Sequence, residues 1–266
     1  MSMKSFEFTT IGTVRCAARY RFEAPRQGVF NGGDGVIELL PAYGGDAVAE
    51  LAGFERIWVI FCFHLNHGHP WKAKVQVPYP ADGVCRSLFA TRSPYRVNPI
   101  GLSCVRVTGV ERNKIYISES DMLDGTPVLD IKPYIPAADA FPDATAGWRD
   151  EAQEKAWHIV PDAEFIRHAE FIRKISGLDI LHFCEVQLGN APLDFSRKRI
   201  TAVKDSACFA LGCRTWRAIY SCNECDNMVL LHRIESNYRA GELTPGVEDR
   251  YGDKEYHRRF IAEFGA

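Results

Sequence analysis

Up to residue 145 this chain is a succession of short apolar, β-branched and aromatic runs cut by Pro/Gly turns, with almost no helical spacing. That pattern narrows the fold more than any other feature. Many short strands without intervening helices are best accommodated by a closed or nearly closed, mainly antiparallel β-barrel. Strands are expected at residues 6–15, 36–40, 57–63, 75–77, 85–90, 102–110, 114–118 and 128–131, with a short helix at 47–51. The run Ile57 to Phe63 is apolar without a break and reads as a buried central strand. No glycine-rich loop follows a strand and opens a helix, which argues against a Rossmann-type nucleotide site.

The composition shifts after Ala138. Residues 141–150 read as a Pro/Gly/Asp/Ala linker, so the expected domains are 1–145 and 146–266, the second a small α+β subdomain. Residues 162–176 have helical spacing, with Phe165, Ile166, Ala169, Ile172 and Ile175 on one face, Asp162 as cap and Gly177 as stop. A second helix at 178–188 and strands at 215–220 and 228–234 follow. Cys222-x-x-Cys225 has zinc-knuckle spacing, but Cys208 and Cys213 are too far apart for a second knuckle, so free thiols are expected. The charged, aromatic tail 238–264 reads as a basic RNA-contacting edge or a solvated terminal helix.

No stretch is apolar and long enough to span a bilayer, and the start lacks the apolar core of a signal peptide. Nine scattered cysteines then fit a reducing, cytoplasmic setting without a disulfide framework. A net charge of −2 argues against a highly basic nucleic-acid coat protein while allowing a local RNA-binding patch.

Candidate chemistry concentrates in the first domain. The stretch ATRSPYRVNPIGLS at 90–103 sets Arg92, Arg96 and Asn98 on a proline-stiffened frame, suited to a ligand with carboxylate or other anionic groups. Its alternative reading is a polar connection between strands. His64, His67 and His69 cluster after the central strand, but the carboxylates that usually orient metal-bound imidazoles are missing nearby. A single functional His64 is the expectation, with no metal.

Four segments together resemble one family: APRQ at 24–27, GFERIWVIFCFH at 53–64, ATRSPYRVNPIGLS at 90–103 and LDGTPVLDIKPYIP at 123–136. They match the TrmO (YaeB-like) tRNA methyltransferases in order and approximate spacing. The resemblance implies a small β-barrel enzyme that uses S-adenosylmethionine to methylate N6 of N6-threonylcarbamoyladenosine beside the tRNA anticodon, typically as a homodimer. It assigns the cofactor to Pro25, Arg26, Gln27, His64, Leu65, Arg92, Leu102, Leu123, Asp124, Gly125 and Thr126. Residue chemistry adds Asp130 as a base, flanked by Lys132 and Tyr134, and Arg96 and Asn98 as contacts to the threonyl carboxylate or anticodon-loop phosphate. Asp130 could instead be a structural partner of Lys132. Family members often carry Asp-Pro-Arg-Pro after the second helix; Ala191, Pro192, Leu193 and Asp194 stand here, without that arginine. The competing readings are a non-catalytic S-adenosylmethionine-binding regulator and a methyltransferase acting on another adenosine or a small molecule.

Overall fold

The computed structural model describes residues 5–66, 68–77, 84–150, 156–195 and 199–265. The chain forms two compact units, Met1–Gln153 and Glu154–Ala266. In the first, β1 (Gly12–Cys16), a one-turn helix α1 (Gly28–Asn31), β2 (Gly33–Leu39) and β3 (Arg56–Cys62) precede a small antiparallel pair, β4 (Lys74–Gln76) and β5 (Cys85–Ser87). Then come β6 (Ile100–Glu111), β7 (Lys114–Ser120), β8 (Pro127–Pro133) and a second one-turn helix, α2 (Pro136–Asp139). Six strands close a barrel in the order β1-β2-β7-β6-β3-β8, every pairing antiparallel.

Closure gives each barrel strand an inner and an outer face, so side chains alternate between them. Ile57, Val59 and Phe61 of β3 are buried, with Val14, Ile37, Val105, Ile115, Ile117 and Val128 among the residues that share their core. Trp58, Ile60 and Cys62 face outward and are only half-buried. The unbroken apolar run was therefore expected to be buried throughout, and it is buried on one face. Its outer half is apolar because that face forms part of a cleft. The expected helix at 47–51 is replaced by single 3₁₀ turns, Gly45–Val48 and Leu51–Gly53, which bury Val48 alone.

Two local constraints hold the barrel register. Arg56 lies directly opposite Arg106 across β3 and β6, and Glu119 accepts from both at 2.7 and 3.1 Å. Those two guanidiniums hold the Glu119 carboxyl below its usual range. Gly101 pairs with Phe61, and a Cβ there would sit 2.3 Å from the Phe61 ring.

The second unit contains β9 (His158–Pro161), α3 (Ala163–Ser176), α4 (Ile180–Leu188), β10 (Ile200–Ala202), β11 (Phe209–Cys213), β12 (Trp216–Asn223), β13 (Met228–Ser236) and α5 (Lys254–Phe264). Its sheet runs β10-β11-β12-β13-β9, with β9 parallel to β13. Two of these strands, β9 and β10, were not expected; they are only three or four residues long, and their pairing rather than their local pattern defines them, whereas β11 falls in the apolar stretch between Cys208 and Cys213. Asp162 caps α3 by accepting from the Phe165 N–H, and Gly177 ends it in the left-handed region. Phe165, His168, Ala169 and Ile172 form its buried face, whereas Ile166 is exposed. The departure from the expected face follows from His168, which accepts the Ile234 N–H at 3.1 Å and turns that side of the helix toward β13.

The terminal helix α5 is no solvated edge. Phe260 is fully buried, and His257 stacks on Trp216 with ring centroids 3.6 Å apart. His257 sits in a directional chain. The Ser236 hydroxyl lies 2.7 Å from Nδ1, Nε2 lies 2.8 Å from the Thr215 hydroxyl oxygen, and Thr215 donates to Asp253 at 2.5 Å. Because the Thr215 proton goes to Asp253, Nε2–H donates to Thr215, and with the buried ring neutral Nδ1 accepts from Ser236. That arrangement fits neutral imidazole. After α4, the buried Pro192 offers its carbonyl to the Tyr220 hydroxyl.

Two outcomes follow. Burial pushes His257 down to about 4, against opposition from Asp253 and Asp249, while the unfolded chain takes up that proton near 6.5. Between those values the unfolded state binds more protons, so stability falls as pH drops from about 6.5 toward 4, by about 3 kcal/mol in all. Urea unfolding at pH 7 and pH 5 measures this, and His257→Gln should flatten the dependence. In the barrel, Gly101→Ala must displace the Phe61 ring and should cost about 1–3 kcal/mol, read as a lower thermal midpoint.

Candidate functional site

A cleft of about 700 Å³ opens on the first unit around the N-terminal part of β6. Its wall draws on segments far apart in sequence: Arg21 with Ala24 to Val29, Trp58 with Phe61 to Asn66, Thr91 to Arg96, Ile100 to Cys104, Asp121 to Leu123, and Thr126. The size lies within the range of pockets that enclose small-molecule cofactors.

The backbone at 123–126 is set by the barrel seam. β1 pairs with β8 through Gly12 opposite Val128 and Thr13 opposite Pro127. From there the Gly125 N–H donates to the Val14 carbonyl at 2.9 Å, and the Asp124 N–H donates to Ala18 at 2.7 Å. Thr126 N–H closes the turn onto the Leu123 carbonyl at 3.1 Å, with Gly125 at φ +78°, the third-position geometry of a type II turn. The Asp124 carboxylate accepts from the Cys16 N–H at 3.2 Å and so ties the turn to β1. Leu123 and Thr126 line the cleft; Asp124 and Gly125 shape the turn from behind it.

The 24–28 segment is pinned by a close approach. A Cβ on Gly28 would lie 1.8 Å from the Glu119 carbonyl oxygen, so only glycine lets α1 pack against the end of β7. Pro25, Arg26 and Gln27 then form one rim, and Gln27 accepts from the Arg92 guanidinium at 2.8 Å across the opening. His64 and Leu65 follow β3 in a single 3₁₀ turn and form another part of the wall. The Arg21 guanidinium donates to the Leu65 carbonyl. Burial, helped by the Arg21 charge, holds the His64 imidazole below its usual range, so it is neutral at physiological pH.

Nine of the eleven residues assigned to the cofactor from sequence thus meet at one cleft: Pro25, Arg26, Gln27, His64, Leu65, Arg92, Leu102, Leu123 and Thr126. Arg96 also lines it, but its guanidinium turns back to the Thr91 and Ser93 carbonyls at 3.1 and 3.4 Å and braces its own loop. Asn98 is exposed outside the lining, at a tight turn where the Ile100 N–H donates to its carbonyl at 2.7 Å. His69 packs edge-on against Tyr95, and His67 lies outside the described residues. Among the described residues no three His, Cys, Asp or Glu side chains gather as a metal site; of the four cysteines weighed for zinc, Cys213 is buried and Cys225 exposed.

Asp130, Lys132 and Tyr134 are not in the lining, yet the register places them beside it. Leu102, Ile60 and Asp130 stand in one row across β6, β3 and β8, and Cys104, Trp58 and Lys132 in the next. Residues directly paired in an antiparallel sheet share a face, and adjacent strands lie about 4.8 Å apart. Asp130 is therefore two strands from the cleft residue Leu102 on the same outer face. Its carboxylate lies 3.0 Å from the Lys132 ammonium, and Tyr134 packs at 5.7 Å from Trp58, which lines the cleft.

Asp121 escaped the sequence reading. It directly follows β7 and immediately precedes the recognised motif, with no local pattern to mark it as buried. Its carboxylate accepts the Ser103 hydroxyl at 2.5 Å and is also hydrogen-bonded by the Gly28 backbone. Burial pushes the Asp121 carboxyl up, while those hydrogen bonds and the Arg92 charge oppose the shift.

Comparisons with known proteins agree with this architecture. The family model described as the tRNA-methyltransferase O (TrmO) N-terminal domain matches residues 13–140. A tRNA (adenine(37)-N6)-methyltransferase of Escherichia coli is 38% identical over 156 residues, covering 56% of this chain and 66% of that protein. A putative S-adenosylmethionine-dependent methyltransferase of Pseudomonas aeruginosa is 38% identical over 166 residues, covering 57% of this chain and 69% of the relative. The E. coli match thus spans slightly less than two thirds of that protein's length. The crystal structure of TrmO from P. aeruginosa superposes with a TM-score of 0.65 at 26% identity, covering 88% of this chain and 99% of that one. Barrel topology, motif order and these likenesses converge: the chain belongs to the TrmO family.

Proposed function

We propose that this protein is an S-adenosylmethionine-dependent methyltransferase acting on N6 of adenosine 37 in tRNA, on the base already modified to N6-threonylcarbamoyladenosine. One observation carries the reading: four separated sequence segments border a single cleft, and that cleft shares a barrel face with Asp130 and Lys132. The names of the relatives from E. coli and P. aeruginosa point to the same chemistry.

The wall fits the cofactor's functional groups. Arg26 and Arg92 suit its carboxylate, the backbone of the 123–126 turn suits an adenine edge, and apolar Leu65, Leu102 and Leu123 suit its flat and aliphatic surfaces. When bound, S-adenosylmethionine supplies the methyl group, passed from its sulfonium to N6 as the N6 proton departs. The N6 lone pair is delocalised into both the purine and the ureido carbonyl, so the protein must orient N6 and accept its proton. Asp130 is our base, two strands from the cleft. Lys132 pairs with it at 3.0 Å, and Tyr134 packs on Trp58, one of the cleft residues. Arg96 and Asn98 belong to the substrate side, toward the threonyl carboxylate or a loop phosphate. We include a homodimer in the proposal, since Phe89, Val97 and Leu102 stand exposed on or beside the segment that forms the cleft. The nine free thiols fit a cytoplasmic setting, and no helix among the described residues is long and apolar enough to cross a membrane.

Purified protein with S-adenosylmethionine should methylate tRNA that carries threonylcarbamoyladenosine and not the same tRNA lacking it, as read by nucleoside mass analysis. Cofactor binding without transfer to either tRNA would favour the regulator instead. Arg92→Ala should weaken S-adenosylmethionine binding about tenfold in calorimetry. Asp130→Asn should leave that binding intact and lower turnover about 100-fold or more; near-normal turnover in a folded variant ends its role as base.

A further inference from the structure

The charge of the cleft is lopsided. Arg21, Arg26, Arg92 and Arg96 line it, and among the described residues Asp121 is the one carboxylate in its lining. A cleft meant for anionic groups alone gains nothing from a carboxylate in its wall, because a fixed negative charge in a low-dielectric site repels them. Asp121 is also held in place from two sides. The Ser103 hydroxyl donates from β6, and the Gly28 backbone donates from the start of α1. Ser103 itself is buried, so that clamp is shielded from water. A carboxylate aligned by donors on both flanks before any ligand arrives has the preorganisation expected of a recognition group.

We propose that Asp121 is the cation-recognition residue of this cleft, the group that receives a positively charged centre of the methyl donor. The proposal rests on the S-adenosylmethionine reading above and deepens it by separating two functions in the wall. The guanidiniums take the donor's carboxylate, and Asp121 takes its ammonium or sulfonium. A charge-assisted contact of this kind also favours the charged donor over neutral adenosine thioethers, which share its adenine and ribose.

The test is calorimetric binding to the full-length protein without tRNA, so that turnover plays no part. The probes are S-adenosylmethionine and 5′-methylthioadenosine, which keeps adenine, ribose and thioether but carries no charge. Asp121→Asn keeps the shape and the acceptor for Ser103 while removing the charge. It should weaken S-adenosylmethionine at least tenfold and leave methylthioadenosine within about twofold. Ser103→Ala, which loosens the clamp but keeps the charge, should preserve the preference for the charged ligand. Asp121→Ser repeats the charge removal in a smaller side chain if the asparagine variant does not fold. Equal weakening of both ligands would make Asp121 a structural tie between α1 and β6 and overturn the proposal, as would unchanged binding of both. If the unmutated protein does not bind S-adenosylmethionine at all, it is the methyl-donor reading that fails.

Discussion

Closure of the barrel between β1 and β8 is the constraint on which the rest of the first unit depends. Once the sheet closes, no strand edge of the barrel is left to pair, and each strand must present one face inward and one outward. The inner face is filled by Val14, Ile37, Ile57, Val59, Val105, Ile115, Ile117 and Val128. The outer face of β6 and β3 is then free to carry Leu102, Cys104, Trp58 and Cys62 into the cleft. The seam itself delivers the 123–126 turn, because the hydrogen bonds that continue the pairing beyond Thr13 are those that hold Gly125 to Val14 and Asp124 to Ala18. Fold and site share the same backbone bonds.

The same economy governs glycine and charge. Gly28 and Gly101 both stand where a side chain would collide, one with the Glu119 backbone and the other with the Phe61 ring, and both lie in the cleft wall. Glu119 neutralises Arg56 and Arg106, which the β3–β6 register forces opposite each other. A carboxylate that compensates two cations, partly shielded, does more than an isolated surface pair, since removing it would leave like charges facing across the ladder. The second unit uses a different device. There a buried neutral histidine, His257, joins α5 to Thr215 and Ser236, which meet at one end of the β12–β13 pair, and burial of its uncharged form makes that unit sensitive to acid.

A large part of this was legible in the residues. The spacing of short strands gave the barrel, the β6–β7 hairpin lies within two residues of its expected bounds, and the Asp162 and Gly177 signals marked both ends of α3. These features are local: a turn, a cap or an alternation is encoded in a few neighbouring residues. What stayed hidden was non-local. The strands β9 and β10 are too short to show a pattern and exist through their partners. The burial of His257 and Phe260 in a tail rich in charge depends on Trp216, some forty residues away. The same holds for the site. Motifs identify Gln27 and Arg92, but only the fold shows them hydrogen-bonded to each other at 2.8 Å.

The sequence by itself determined the family, the closed β architecture of its first half, and most of the residues that meet at the cleft, because each of those is carried by contiguous motifs. The tertiary structure alone decided which face each motif presents. It set Asp130 and Lys132 on the cleft's outer face by register and turned Arg96 back onto its own loop. It also brought Asp121 into the wall as the sole carboxylate in the lining among the described residues. The physical reason is that barrel closure fixes orientation through pairing between distant strands, and no stretch of sequence carries that information within itself.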